Sequence, residues 1–422
     1  MRFRLTVLAL TMTAVTISAR SAAAEVTTET GRSLDSFVAV EGVETRVQEN
    51  EILVLAHGNY AIASTGWQNA DGVSVGAVHL YDGRSHELIS RMEGRFDSDQ
   101  FGAKMSEGGD GNVLVLSPGV NMFGIPNVGA ATWIDGRLGR SGVVSPTNSL
   151  HGSSPEDRVG SQGTVLTSGH AVLSTPRWDH GDRNDVGAVT WIDGDRGMTG
   201  PVSPFNSLYS TMSSDRVGDG GIAALTDGDY AVLSTSWRSF GAVTIASGDG
   251  RTTGPVELAN SVIPPRAGDF GAATLTPLAD GDVAIAAPQW NDRAGAVSVI
   301  EGTVATTGTV TTENSLHGTG TGDGVGSGGV VELETGALAI LSPSWGSHGA
   351  VTVIEPSGLD RPVDATNSLV GTTDAPVPLG ELTPLGGRAV VVSNSFGAGF
   401  AATTGLDGPV GEIDSTTALT GI

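Results

Sequence analysis

Calcium binding needs about six oxygen ligands, several of them carboxylates. Four aspartates come nearest to supplying them: Asp227 with Asp229, and Asp280 with Asp282, each pair astride a glycine. Asp110 and Asn112 form a looser third pair. Every pair falls short of a full ligand set, so their first reading is Asp-Gly turn chemistry. The four aspartates are therefore weak calcium candidates, and no cofactor is expected to be required. Zinc is disfavoured, because the 8 histidines are scattered without a paired spacing on one element. Gly72-Val73-Ser74-Val75-Gly76 spells the nucleophile-elbow pattern. An elbow needs a strand, a sharp turn and a helix, whereas this serine leads into a strand. Glycoside hydrolysis needs two carboxyls at a set separation in a cleft, and no non-repeated pair stands out. No catalytic residue is assigned.

The aromatic residues offer a binding reading. Trp67, Trp178, Trp237, Trp290 and Trp345 recur in phase, each just past an apolar strand. Alternating strand direction puts these loops on one face. A residue present in nearly every unit is most simply a packing element. Sequence that departs from the repeat is a better guide, since binding resides on loops held by a rigid scaffold. Three neighbouring loops are enlarged, at 68–75, 121–128 and 179–186. The candidate binding residues are accordingly Trp67, Met122, Phe123, Trp178, Asp182 and Asp185.

The elements that position these loops follow from one repeat. A Gly-Ala-apolar step opens a β-like run at Gly76, Gly129, Gly187, Gly241, Gly295 and Gly349, about every 54 residues. In phase with it run Asp-Arg-Val-Gly at 157–160 and 215–218, and Asn-Ser-apolar at Asn148, Asn206, Asn260, Asn314 and Asn367. A degraded further copy lies at 396–401. Each period holds four short apolar strands joined by Asp-Gly and Ser-Gly turns. Sheets of this kind bury both faces when packed around an axis. The expectation is an all-β chain, a seven-bladed β-propeller of four-stranded antiparallel blades over 50–422, with an open solenoid as the alternative. The segment 25–49 is a candidate to pair with the last blade.

Composition agrees. Gly 62, Pro 19 and charged residues at 16% suit short strands and tight turns rather than helices. The formal net charge of -24 and the absence of a basic run argue against nucleic acid. Arg2 and Arg4, an apolar stretch, and Ala22-Ala23-Ala24 read as a signal peptide over 1–24. No later run is long enough to span a membrane. With Cys 0, stability must come from packing and sheet hydrogen bonds.

The repeat resembles the FG-GAP repeats of integrin α-chain propellers. Phe101-Gly102 and Phe270-Gly271 stand for the opener, Ala287-Pro288 and Ser342-Pro343 for the second element, and Gly295-Ala296-Val297 and Gly349-Ala350-Val351 for the third. It is more closely similar to the Asn-Ser-Leu, Asp-Arg-Val-Gly and Gly-Ala-Val-Thr-Trp repeats of bacterial exported adhesin-like and haemagglutinin-like proteins. The FG-GAP resemblance implies calcium loops of the Asp-x-Asp-x-Asp-Gly type, from which this chain departs. The expected function is an exported binding module, secreted, periplasmic or at the cell surface, holding an extracellular protein or glycan ligand. The alternative is a glycan-acting hydrolase or lectin on the same scaffold.

Overall fold

The computed structural model describes residues 50–371 and, outside that span, strands alone. Residues 1–23, most of the expected leader, and Phe396 lie outside the described residues. Ser33–Phe37 pairs antiparallel with Ala24–Thr27 in a two-stranded sheet. The chain is all-β, and the longest helical piece described is the single turn Trp290–Arg293.

Six consecutive units within 50–371 each build a sheet of four or five strands. The third unit shows the plan. Gln162–Val165 pairs antiparallel with Ala171–Thr175, that strand with Ala188–Ile192, and that with Ser207–Tyr209. The second strand is apolar on both sides because each sheet is sandwiched between neighbours. Five apolar clusters fill the five spaces between consecutive units; one joins Ala61, Ala63 and Leu80 to Val113, Val115 and Ile134.

The fifth strand was not expected. Between its third and fourth strands the second unit sends Gly142–Val143 back to pair in parallel with Leu88–Glu93 of the first. Gly200–Pro201, Gly254–Pro255 and Gly308–Thr309 repeat this on later units. The asparagine of Asn-Ser-apolar fastens each arm. Asn206 Nδ2 donates to Pro201 O at 3.1 Å, while its Oδ1 accepts the amide of Ser203 at 2.8 Å and the hydroxyl of Ser207 at 3.0 Å.

The expected closed ring of seven blades is corrected here to an open array of six repeat units. The first unit joins its third and fourth strands by a tight turn, the Asp82 amide donating to Glu87 O at 3.0 Å. It therefore has no arm with which to lace a preceding sheet. Four of the five strands between 382 and 420 form a further sheet, the fifth, Gly411–Glu412, pairs in parallel with Ser368–Val370 of the sixth unit, and among the described residues none of them pairs with the first unit. Local periodicity sets the plan of one unit but not the meeting of the chain's two ends.

Candidate functional site

The enlarged loops share a face with the links between units, as their strand directions require. Each loop rests on the link that follows it. Ser98 N donates to Ser74 O at 2.9 Å, Arg158 N to Asn127 O at 3.0 Å, and Arg216 N to Asp185 O at 3.1 Å. Two short contacts explain the repeat landmarks. A Cβ on Gly129 would meet Val159 N at 2.3 Å, and one on Gly187 would meet Val217 N at 2.2 Å. The glycine of Gly-Ala-apolar thus lets the Val of Asp-Arg-Val-Gly lie against the strand. The aspartate of that motif is a clamp between units. Asp99 is fully buried; its Oδ2 accepts the amides of Arg95 and Phe96, both at 2.8 Å. Its Oδ1 accepts Asn121 N at 2.9 Å and Asn121 Nδ2 at 2.8 Å, from the loop of the next unit. Asp157, Asp215 and Asp269 reach the amides of Asp179, Arg238 and Asn291 in the same way, at 2.9–3.0 Å.

The candidate residues separate on this frame. Phe123 is 68% exposed at a left-handed turn, φ 55, with its ring edge on His151 at 5.6 Å. Asp182 is exposed, and Asp185 pairs with Arg216 at 2.9 Å. Met122 and Trp178 are corrected: they are 3% and 2% exposed, packed between units, and have no surface to offer a ligand. Trp67 is half-buried at the start of the array, with His79 at 4.7 Å and the guanidinium of Arg91 at 5.3 Å. Each loop is closed by an antiparallel bridge: Gln68 to Ser74, Met122 to Ile125 and His180 to Arg183.

Two features of this face lay hidden in the sequence. The first is a gathering of arginines. Arg158, Arg177, Arg183, Arg216, Arg238 and Arg293 all project from its loops and links. They sit just before a Val-Gly or a few residues from a Trp, a phase that marks them once the repeat is aligned. The second is His79. Other units place a hydroxyl pair there, such as Thr132 to Ser149 and Thr190 to Ser207, both at 2.7 Å. In the first unit His79 faces Arg91 across the sheet instead. Burial, and then the Arg91 charge, hold the His79 pKa down at about 4. The Asp157 carboxyl moves the other way, up to about 6, because burial outweighs its three amide donors.

The opposite face carries the turns between first and second strands. Here the four calcium candidates have other partners. Asp227 and Asp280 accept the amides of Asp229 and Asp282, both at 3.0 Å. Asp229 and Asp282 accept those of Gly248 and Gly302, at 3.0 and 3.2 Å. Asn59, Asn112 and His170 do the same for Gly83, Gly136 and Gly194. The residue in this place joins two turns, and Asn, His or Asp serves equally. Among the described residues no three His, Asp or Glu side chains converge as a metal site. A shallow groove of about 560 Å³ lies on this face, between His57, Glu107, Asp110 and Arg137.

Compared with known proteins, six stretches match a repeat of unknown function, DUF5650, at 54–87, 109–161, 165–219, 224–273, 277–327 and 332–376. Together they cover more than half of the chain, which belongs to this family. Six copies agree with the six units, and the family found is neither FG-GAP nor an adhesin family. No curated protein matches the chain. Among solved structures, one titled as the crystal structure of the eukaryotic initiation factor aligns with a TM-score of 0.45 at 10% identity, over 84% of this chain and 73% of that one. No helix among the described residues is long and apolar enough to cross a membrane.

Proposed function

We propose that this chain is an exported binding module without catalytic activity, a propeller-type array that holds an extracellular ligand against the loops of its first three units. One observation carries the reading: three adjacent units enlarge the same loop on the same face, and the middle one presents Phe123 at 68% exposure. Each loop is closed on itself and seated on a clamped link, so the contact surface is built before a ligand arrives, which lowers the entropic cost of binding. Unit four closes the same connection with the single turn Trp237–Ser239, so packing alone does not require the extra residues.

The test replaces residues 68–75, 121–128 and 179–186 by the sequence of 291–294 and measures binding to an array of extracellular proteins and polysaccharides. Binding by the parent should vanish in the shortened chain while its melting temperature moves little. Phe123→Ser alone should weaken binding about tenfold, as expected of an exposed aromatic anchor. Undiminished binding by the shortened chain overturns the reading.

No metal is needed in this reading, because each candidate turn offers only a pair of carboxylates, short of the roughly six oxygens that calcium takes. A chelator should therefore leave the melting temperature within about 2 °C of its value in millimolar calcium. A fall of about 10 °C, the several kcal/mol that a tightly held ion contributes, would show that calcium is part of the fold.

A further inference from the structure

Building on that reading, we infer that the ligand of this face is a carboxylate-bearing polysaccharide, a polyuronate rather than a neutral glycan. The chain carries a formal net charge of -24, yet exposed guanidinium groups gather on the loop face, among them Arg158, Arg177, Arg183, Arg216, Arg238 and Arg293, with Arg266 of the fourth link paired to Asp292 at 3.1 Å. Arg158 and Arg216 are each paired with an acid, Glu156 and Asp185, and still keep 45% and 49% of their side-chain surface open. Arg177, Arg183, Arg238 and Arg293 have no ion pair among the described residues. The guanidinium of Arg238 lies over the Trp237 ring, 4.6 Å from its centroid.

The backbone gives a second argument. Arg158 and Arg216 are held in the left-handed region, φ 54 and 48, where the link after the fifth unit places Gly324 at φ 57. Glycine meets that conformation without strain. The first link holds Gln100 there too, at φ 50, so the conformation belongs to the repeat, and the arginine is what two adjacent links add to it. The guanidinium fork suits a carboxylate, which it can grip with two parallel hydrogen bonds.

Periodicity and interleaved acids narrow the class. The arginines recur from unit to unit, which matches a polymer whose charges recur along its length. Glu156, Asp182, Asp185 and Asp292 stand among them. A nucleic acid carries a phosphate about every 1.7 Å of duplex axis and binds through an unbroken basic surface, which these acids interrupt. A polyuronate spaces its carboxylates by whole sugar rings and can set them on the arginines between the acids. Phe123 adds an aromatic face for a sugar ring.

The experiment measures binding of the full chain to polygalacturonate, to fully methyl-esterified polygalacturonate and to a single-stranded DNA oligonucleotide. Polygalacturonate should bind and weaken as salt rises, and the ester should bind at least about tenfold less. Arg177→Gln/Arg183→Gln/Arg238→Gln should lose at least about tenfold in affinity with an unchanged melt, while Arg137→Gln/Arg251→Gln on the opposite face should change nothing. Equal binding of acid and ester, or an unaffected triple variant, overturns the anionic class. Tighter binding of DNA overturns the polysaccharide. If the loop-shortened chain loses ligand while the triple variant keeps it, this inference falls and the loop-face reading stands.

Discussion

Asp99→Ala should cost about 3–5 kcal/mol of stability, the largest effect expected of any single change outside the apolar clusters. The carboxylate is fully buried and takes four hydrogen bonds, two from its own link and two from Asn121 of the next unit. Alanine leaves four part-buried donors with no acceptor, and each one that water cannot reach costs about 1–3 kcal/mol. Relaxation of the link recovers part of that sum. Asp99→Asn keeps one carbonyl acceptor but forces an amide NH₂ against the remaining N–H groups, so it should fall between the two. The measurement is the urea midpoint followed by tryptophan fluorescence. A loss under about 1 kcal/mol for Asp99→Ala would mean that the clamp does not bind the units together.

The second large effect is a dependence on pH located at His79. Its neutral imidazole is buried, and its folded pKa is about 4 against an ordinary value of 6.5. Between those values the unfolded chain takes up a proton that the folded chain refuses. Stability is therefore full above pH ~6.5 and is lost as pH falls toward 4. A gap of that size corresponds to about 3 kcal/mol. Asp157 works in the opposite direction: its raised pKa makes the folded chain hold a proton between its ordinary value and about 6, so its contribution declines as pH rises through that window. His79→Thr isolates the first effect, since Asp157 is common to both chains and cancels in the difference. The parent should lose about 3 kcal/mol more than the variant between pH 7 and 4. Parallel stability profiles would show that His79 titrates freely.

The plan of one unit was legible in the residues because its determinants are local. Asp227-Gly228-Asp229 reads as a turn and is one. Asn206-Ser207-Leu208 was visible as a landmark, although its task, fastening an arm to the neighbouring sheet, depends on a partner about fifty residues away. The role of Gly129 was likewise hidden until Val159 came to lie on it. Closure failed as an expectation for the same physical reason. It depends on contact between distant units, and the missing Asn-Ser-apolar in the first unit was the available sign. For the candidate site, Trp178 recurs because it packs, the simplest reading of a residue found in nearly every unit, and its burial removes it as a ligand contact. The arginine face was missed because its members are scattered in sequence and gather only when units are stacked.

The arms have a consequence for the order of assembly. Every two-residue arm described pairs with the sheet made by the unit before it, from Gly142–Val143 on the first unit through Gly308–Thr309 on the fourth to Gly411–Glu412 on the sixth. A chain delivered amino end first always presents the receiving strand before the arm that seeks it. Each new unit can dock as soon as it emerges, on a template already complete, and its docking holds that template shut. Assembly is then a one-way ratchet. Loss of material from the carboxyl end removes steps already finished by others, whereas loss of the first unit takes away the surface on which the second must settle.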